Sequence, residues 1–443
     1  MPKRSTVIAA SAAAALLVIG GAVTALTLAG HPSSTKTTVT VRLWDDQVAK
    51  AYDASFAAFE KKNPDIDVTI TVIPWADYWA KLRTDVAGKN VDDVFWVDGG
   101  DYPAYADSGA LLNIDKALGK DARAGWSTSV VDQYTRDGVL WGVPQLADPG
   151  IAVYYNADLL AEAGLTPADI ANLRWDPTGA DDTLLPVLKK LTKDSNGNTA
   201  DSPDFDGTSL AQYGYNAGYD IQAMLLNYVA SSGGTFQKGE EYSFASPEGL
   251  AAFQYLVDLI NKHHVSPSAA DTNTNGDFSR DQFLQGKMAL FQSGVYNLAN
   301  VKDGADFAWG VTRLPAGPAG AISGVDGIIA AGSTSSKHPA ETKRVLEWLG
   351  SAKGSSYIGA SGSASPAVTA AQKDYTAFWT AKNVDISPFY DVLDNGSAPA
   401  IKGSGWPAAD NAMQPLLQEV FLGRTPVTEG VRAAQAAANA AAK

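Results

Sequence analysis

The chain of 443 residues contains no cysteine and four histidines, and its 34 basic side chains are outnumbered by 48 acidic ones. Without a thiol there is no disulfide, thiolate metal site, iron–sulfur ligation or cysteine nucleophile. The histidines are equally unpromising: His31 lies in the N-terminal export region, His263 and His264 are adjacent, and His338 sits in Ser-Lys-His-Pro. Neighbouring positions on a helix face different directions, so neither a shared metal nor a triad base is expected. A net charge of −14 repels nucleic acid, and no Lys/Arg cluster offsets it. Gly-x-Ser-x-Gly, His-Glu-x-x-His, phosphate-loop and dinucleotide fingerprints are all missing, which removes the best-marked hydrolase and nucleotide classes. Glycoside hydrolysis by two carboxylates survives this sieve, because acidic residues are plentiful.

Hydrophobic residues make up 45% of the chain and charged residues 19%, a globular composition long enough for two or three domains. Lys3 and Arg4 precede an uncharged apolar stretch from Val7 to Gly30 and a polar exit from His31 to Thr38, the build of a secretory signal. At about 24 residues the stretch is also long enough to remain as a membrane anchor. Residues 1–35 are therefore read as a signal peptide or an uncleaved signal anchor. Everything beyond is placed outside the cytoplasm.

Val39–Leu43 and Val68–Ile73 alternate as strands around a helical stretch from Ala49 to Lys62, and amphipathic Tyr78–Ala87 leads into the apolar run Asp93–Val97. Alternating strands and helices predict a mostly parallel α/β sheet. Ligands gather at the carboxyl ends of such strands, so Trp44–Gln47, Pro74–Tyr78 and Asp98–Tyr102 are candidate binding loops. Asp194–Thr208 and Ser266–Asp277 read as polar surface loops, and the Ala-rich tail from Val431 as a terminal helix. Asp271-x-Asn273-x-Asn275-Gly276-Asp277 begins like a calcium loop, but Gln282 stands where the bidentate carboxylate belongs, so a helix-capping turn is expected and no metal.

The unusual feature is aromatic: 11 Trp, 17 Tyr and 14 Phe, many beside Asp, Asn or Gly in expected loops. Aromatic planes stack on the C–H faces of a pyranose while carboxylates and amides hold its hydroxyls. For any one Trp the competing reading is core packing, and Trp348 is assigned to the core.

A series of short motifs follows in order: Asp93-Val-Phe-Trp-Val97, Tyr105-Ala-Asp-Ser-Gly-Ala-Leu-Leu112, Gly142-Val-Pro144, Tyr154-Tyr-Asn-Ala-Asp-Leu-Leu160 and Trp175-Asp176. Then come Phe283-x-x-Gly-Lys-Met-Ala-Leu-Phe-x-x-Gly294-x-Tyr296, Leu314-Pro315, Gly324-Val-Asp-Gly-Ile-Ile329 and Ser336-Lys-His-Pro-Ala340. Together they resemble the extracellular solute-binding proteins of ATP-binding-cassette sugar importers, in the maltose-binding-like cluster, from about Val39 to Gly430. Tyr296 replaces the usual Trp, and Met288 and Ala289 are swapped. In Leu28-Ala29-Gly30-His31, histidine stands where the family's lipobox has its lipidated cysteine.

The resemblance implies two α/β lobes joined by crossing strands, with sugar in the cleft: residues 36–147 with 325–377 in one lobe, 148–324 with 378–443 in the other. It implies Trp96, Tyr155, Tyr296 and Trp406 as sugar-facing aromatics, Asp46 and Asp98 as hydrogen-bonding carboxylates, and Trp75, Asp148 and Asp326 as second choices. For each aspartate a helix cap or ion pair is the competing reading. The expected activity is non-enzymatic capture of an oligosaccharide by a monomer and its delivery to an ATP-binding-cassette permease, without a cofactor. A carbohydrate-active hydrolase and a surface glycan-binding protein without a transporter are the rivals.

Overall fold

The computed structural model describes residues Lys36–Lys443; the expected export segment lies outside the described residues. The strands of the two main sheets are, in chain order, β1 (Thr37–Leu43), β2 (Ile66–Val72), β3 (Val94–Asp98), β4 (Val143–Asp148), β5 (Ile151–Asn156), β6 (Leu290–Gly294), β7 (Trp309–Thr312) and β8 (Asp326–Gly332). The first sheet has the order β2-β1-β3-β8-β4. Its strands β1, β2 and β3 run parallel, whereas β8 lies antiparallel between β3 and β4. The second sheet, β6-β5-β7, is antiparallel throughout, so the expectation of parallel pairing holds only among β1, β2 and β3 of the first sheet. Only Pro149 and Gly150 separate β4 from β5, so the chain passes directly from the first sheet to the second.

Local chemistry explains the strand–helix units of the first sheet. The helix Asp46–Lys62 begins where the Asp45 carboxylate accepts the backbone N–H groups of Gln47 and Val48 at 2.8 and 3.0 Å, and Lys61 and Lys62 close its last turn. The next helix, Trp75–Ala87, is tied to the sheet by a buried ion pair. Arg42 of β1, 4% exposed, reaches Asp85 of that helix at 2.7 Å and Asp92 at 2.6 Å. Its two carboxylate partners compensate the desolvated guanidinium.

Each body has its own core. One joins β1, β3, β4 and β8 through Val41, Phe95, Trp96, Val143 and Ile329; the other joins Leu188, Tyr215, Phe253 and Leu256 to the C-terminal helices through Met413, Leu417 and Val431. The Ala-rich tail is the helix Val427–Ala441, and it packs one face into this second core. The helix Thr369–Ala381 belongs to both bodies: Ala371 lies in the first core, and Tyr375 and Trp379 lie with Tyr154, Phe291 and Phe389 against the second sheet. The result is a two-lobed α/β molecule. Among the described residues no helix is long and apolar enough to cross a membrane.

Trp379 is fully buried, 5.1 Å from the Phe378 ring and 6.2 Å from that of Tyr375. Trp379→Ala should lower the unfolding free energy in urea by about 3–5 kcal/mol. A loss below about 1 kcal/mol would show that the end of this helix does not anchor it.

Candidate functional site

Four neighbouring strands of the first sheet deliver an aspartate to the same edge. Asp98 ends β3 and Asp148 ends β4, while β8, running the other way, begins with Asp326. Asp326 is the cross-strand partner of Asp148. Asp45 follows β1 as the cap of the next helix. Carboxylates directly opposite one another destabilise a sheet, so such a row is retained against a local cost.

The surroundings of each carboxyl differ. Asp326 accepts the Gln133 side-chain amide at 2.6 Å and the Gly327 N–H at 2.8 Å, and burial still pushes its pKa up to about 6. Gln133 reaches it through Gly99: a Cβ there would fall 2.0 Å from the Gln133 amide nitrogen. Asp98 accepts the Asp101 N–H at 2.8 Å, and burial, then Asp101 and Asp326, raise it well above the carboxylate range. Asp148 receives no hydrogen bond among the described residues; burial, then Asp326 and Asp45, push it up to about 8. Asp45 is raised by burial against the pull of its two backbone donors.

Beyond Asp98 the loop carries Asp101, 5% exposed, with Oδ1 left without a partner. Burial pushes Asp101 up to about 7; Arg83 opposes the rise and Asp410 adds to it. Asp410 stands on the helix Trp406–Phe421, whose residues pack in the second core. It accepts the Tyr219 hydroxyl at 3.3 Å and is raised by burial to about 6. At the start of that helix the Trp406 indole lies against Gly100, where a Cβ would fall 2.6 Å from its Cδ1 and Nε1. The two lobes meet here, and glycine is what lets the indole approach the loop.

Aromatic rings flank the row. Trp44, just past β1, packs edge-to-face on Trp75 at 5.2 Å, Tyr78 at 4.9 Å and Trp96 at 5.0 Å. Trp75 is 52% exposed and extends this cluster to the surface. From the second lobe, Tyr296 follows β6 with its ring over Gly294, within the field of Asp148 and Asp220. Tyr390 lies 3.4 Å from the Ser365 hydroxyl and also senses Asp148. Together these groups form a wall of carboxylates edged by ring faces, able to hold hydroxyls or a positive charge.

Of the residues singled out in the sequence, Asp98, Asp148, Asp326, Tyr296 and Trp406 are brought together here, with Trp75 at the margin. Asp46 is not: it points outward and pairs with Lys50 at 3.3 Å, while Asp45, one position earlier, joins the row. Trp96 is fully buried, its indole N–H donating to the Tyr52 hydroxyl at 3.3 Å. As a residue of a central strand it is covered on both faces and presents no surface to a ligand. Tyr155 lies half-buried over Gly310 of β7, and Asp385 is the charged group acting on it. Asp45, Asp101, Asp410, Trp44 and Tyr390 escaped individual selection. Asp45 and Asp101 carried a usable signal, since each lies within three residues of a strand's end.

The polar loop at Asp194 and the calcium-like loop at Asp271 use their oxygens internally. The Asp194 carboxylate accepts the N–H groups of Asn196, Asn198 and Asp206 at 2.8–2.9 Å, which holds it down at about 2. Asp277 and Asp281 both pair with Arg280, at 3.0 and 3.5 Å. Among the described residues no three acidic or histidine side chains converge as metal ligands.

A family model of bacterial extracellular solute-binding proteins matches residues 45–355. The crystal structure of Mycobacterium tuberculosis UspC is 53% identical, with a TM-score of 0.71 over 91% of this chain and 100% of that one. A substrate-binding protein of an ABC transporter from Listeria monocytogenes, solved with cycloalternan, shares the fold with a TM-score of 0.78 at 20% identity, over 91% of this chain and 98% of that one. The maltodextrin-binding protein MdxE of Bacillus subtilis is 26% identical over 295 residues, 66% of this chain and 63% of that protein.

The carboxyls of the row have native pKa values above the roughly 3.9 of an unfolded aspartate. Such groups contribute stability that is complete below the unfolded value and lost as pH rises through the native ones, here about 6 to 8. Asp194, held low, acts oppositely and only in acid. Calorimetry of the ligand-free protein should therefore find the highest Tm near about pH 5 and a fall toward about pH 8, flattened by Asp148→Asn. A Tm that rises over this interval would contradict the burial of the row.

Proposed function

Because the chain belongs to the bacterial extracellular solute-binding proteins, we propose that it captures a carbohydrate between its lobes and delivers it to an ATP-binding-cassette permease. The observation that carries this reading is the acidic, aromatic-edged wall at the strand ends of one lobe, faced by Tyr296 and Trp406 of the other. Carboxylates take sugar hydroxyls in charge-assisted hydrogen bonds and ring faces take the C–H surface. The maltodextrin-binding relative supports the same ligand class.

Lobe boundaries at 36–147 with 325–377, and 148–324 with 378–443, fit the two cores, with the helix Thr369–Ala381 shared. The protein acts as a monomer without a cofactor, at the outer face of the cytoplasmic membrane or secreted, held there by the apolar N-terminal stretch where that is retained. Closure around sugar selects the state that the permease recognises. Binding without turnover is favoured over hydrolysis because the family whose model matches the chain is one of solute-binding proteins.

A thermal-shift screen of the purified protein against mono- and oligosaccharides, with chromatography of each mixture, tests the reading. A ligand of the folded state raises Tm and is recovered intact. Trp406→Ala and Tyr296→Ala should each weaken binding about tenfold, the equivalent of roughly 1.4 kcal/mol. Fragments in the chromatogram would instead establish the hydrolase, and unchanged affinity in both variants would remove the cleft assignment.

A further inference from the structure

Three Asn-Gly steps occur in the chain, Asn196-Gly197, Asn275-Gly276 and Asn395-Gly396, and both residues of each are exposed. Glycine has no Cβ to keep its backbone nitrogen away from the preceding side-chain amide, so at such a step the nitrogen can attack that amide. Exposure is common to all three. What separates them is how each nitrogen and each amide is held.

At two of the steps the nitrogen is tied. The Gly197 N–H donates to the Asp194 carbonyl at 3.0 Å, and the Gly396 N–H donates to the Leu393 carbonyl at 3.0 Å. Both glycines have positive φ, 85° and 93°, so their peptide planes are set by tight turns. A nitrogen in this arrangement keeps its proton and faces its acceptor instead of the side chain before it.

At Asn275-Gly276 the amide is held and the nitrogen is not. Among the described residues the Gly276 N–H has no acceptor, and its φ lies outside the left-handed region. The Asn275 Oδ1 accepts the Asp277 N–H at 3.0 Å, which curls the side chain over the peptide between them. The same hydrogen bond polarises the amide carbonyl and stabilises the charge that grows on its oxygen when a nucleophile adds. The residue is fixed further by its own backbone, whose N–H donates to the Asp271 carbonyl and whose carbonyl accepts the Phe278 N–H, each at 3.1 Å. A positioned electrophile thus stands beside an unengaged nucleophile.

We propose that Asn275 is a site of spontaneous covalent modification, converted through a cyclic imide with Gly276 into aspartyl and isoaspartyl forms. The Gly276 nitrogen gives its proton to solvent base and attacks Asn275 Cγ; the N–Cγ bond forms, the Cγ–Nδ2 bond breaks and ammonia leaves. Water then opens the ring at either carbonyl, so the sum is amide plus water giving acid plus ammonia. Opening at Cγ yields an ordinary aspartate. Opening at the main-chain carbonyl carries the chain through Cγ and lengthens it by one methylene. The longer chain falls between two anchored elements: Asn273 Nδ2 donates to the Gln418 carbonyl of the helix Trp406–Phe421 at 3.4 Å, and just beyond begins the helix Phe278–Leu284, whose Phe283 packs with Tyr154 and Phe291.

The test incubates the purified protein, folded and in urea, in mildly alkaline buffer. The tryptic peptide His263–Arg280 is followed by chromatography and fragment mass spectrometry, beside the peptides of the other two steps. Divided by its own rate in urea, the folded-state rate at Asn275 should exceed that at Asn196 or Asn395 about three- to tenfold, the effect of one retained hydrogen bond. Gly276→Ala, whose Cβ meets nothing within 4 Å, should fold and slow the conversion more than about tenfold. Protein carrying the isoaspartyl form should melt below Asn275→Asp, which has the same charge on a chain of normal length.

A normalised rate at Asn196 or Asn395 that equals the one at Asn275 would overturn the assignment to this step. Acid formed at Asn275 with no isoaspartyl product, or at an unchanged rate in Gly276→Ala, would overturn the imide route. Equal melting of the isoaspartyl protein and Asn275→Asp would overturn the structural consequence.

Discussion

The placement of β8 between β3 and β4 governs the chemistry of the cleft. This strand comes from far along the chain and enters the first sheet antiparallel, so its first residue arrives at the edge where its neighbours end. Asp326 therefore faces Asp148 across the ladder and Asp98 stands on its other side. A parallel β8 would have sent Asp326 to the opposite edge. The same insertion covers β3 on both sides, makes Val94–Val97 wholly buried and consigns Trp96 to the core.

A row of acids at a strand edge is a compromise between folding and binding. Burial holds protons on these carboxyls at a pH where exposed aspartates are charged, so repulsion between them is relieved by protonation in the absence of ligand. Hydrogen bonding grades the row. Asp326 has the Gln133 amide and its own strand's N–H, whereas Asp148 has neither. The residue with fewest internal partners is the one most open to a ligand. Stability is spent locally at such a site, while the two aromatic-rich cores around it supply what the fold needs.

Much of the first lobe was legible because its signals are local. Alternating β-branched residues marked β1 and β2, and the short apolar run bounded by Asp and Gly marked β3. Asp98 could be read as a strand-end carboxylate for the same reason. Asp45 joins the row and Asp46 does not because they occupy different sides of the first helical turn, and the cap geometry that decides this lies in backbone angles. The burial of Trp96 and the pairing of Asp326 with Asp148 depend on a partner strand distant in sequence, which no local pattern reports. Tyr155 shows the other limit: a period-two alternation places Tyr154 and Tyr155 on opposite faces, but which face meets the cleft is set by how the second sheet is oriented.

The helix Thr369–Ala381 carries a mechanical consequence. Thirteen residues of helix form a rod of about 20 Å, stiff on the scale of thermal bending. Its first turn is seated in one core through Ala371 and its last turn in the other through Trp379. Two rigid bodies linked by such a strut, and by the two-residue link between β4 and β5, cannot drift apart as beads on a string do. Their relative motion is narrowed to rotation about an axis near these connections, so the jaws of the cleft travel along an arc, and the groups farthest from the axis sweep the greatest distance for the smallest change at the pivot.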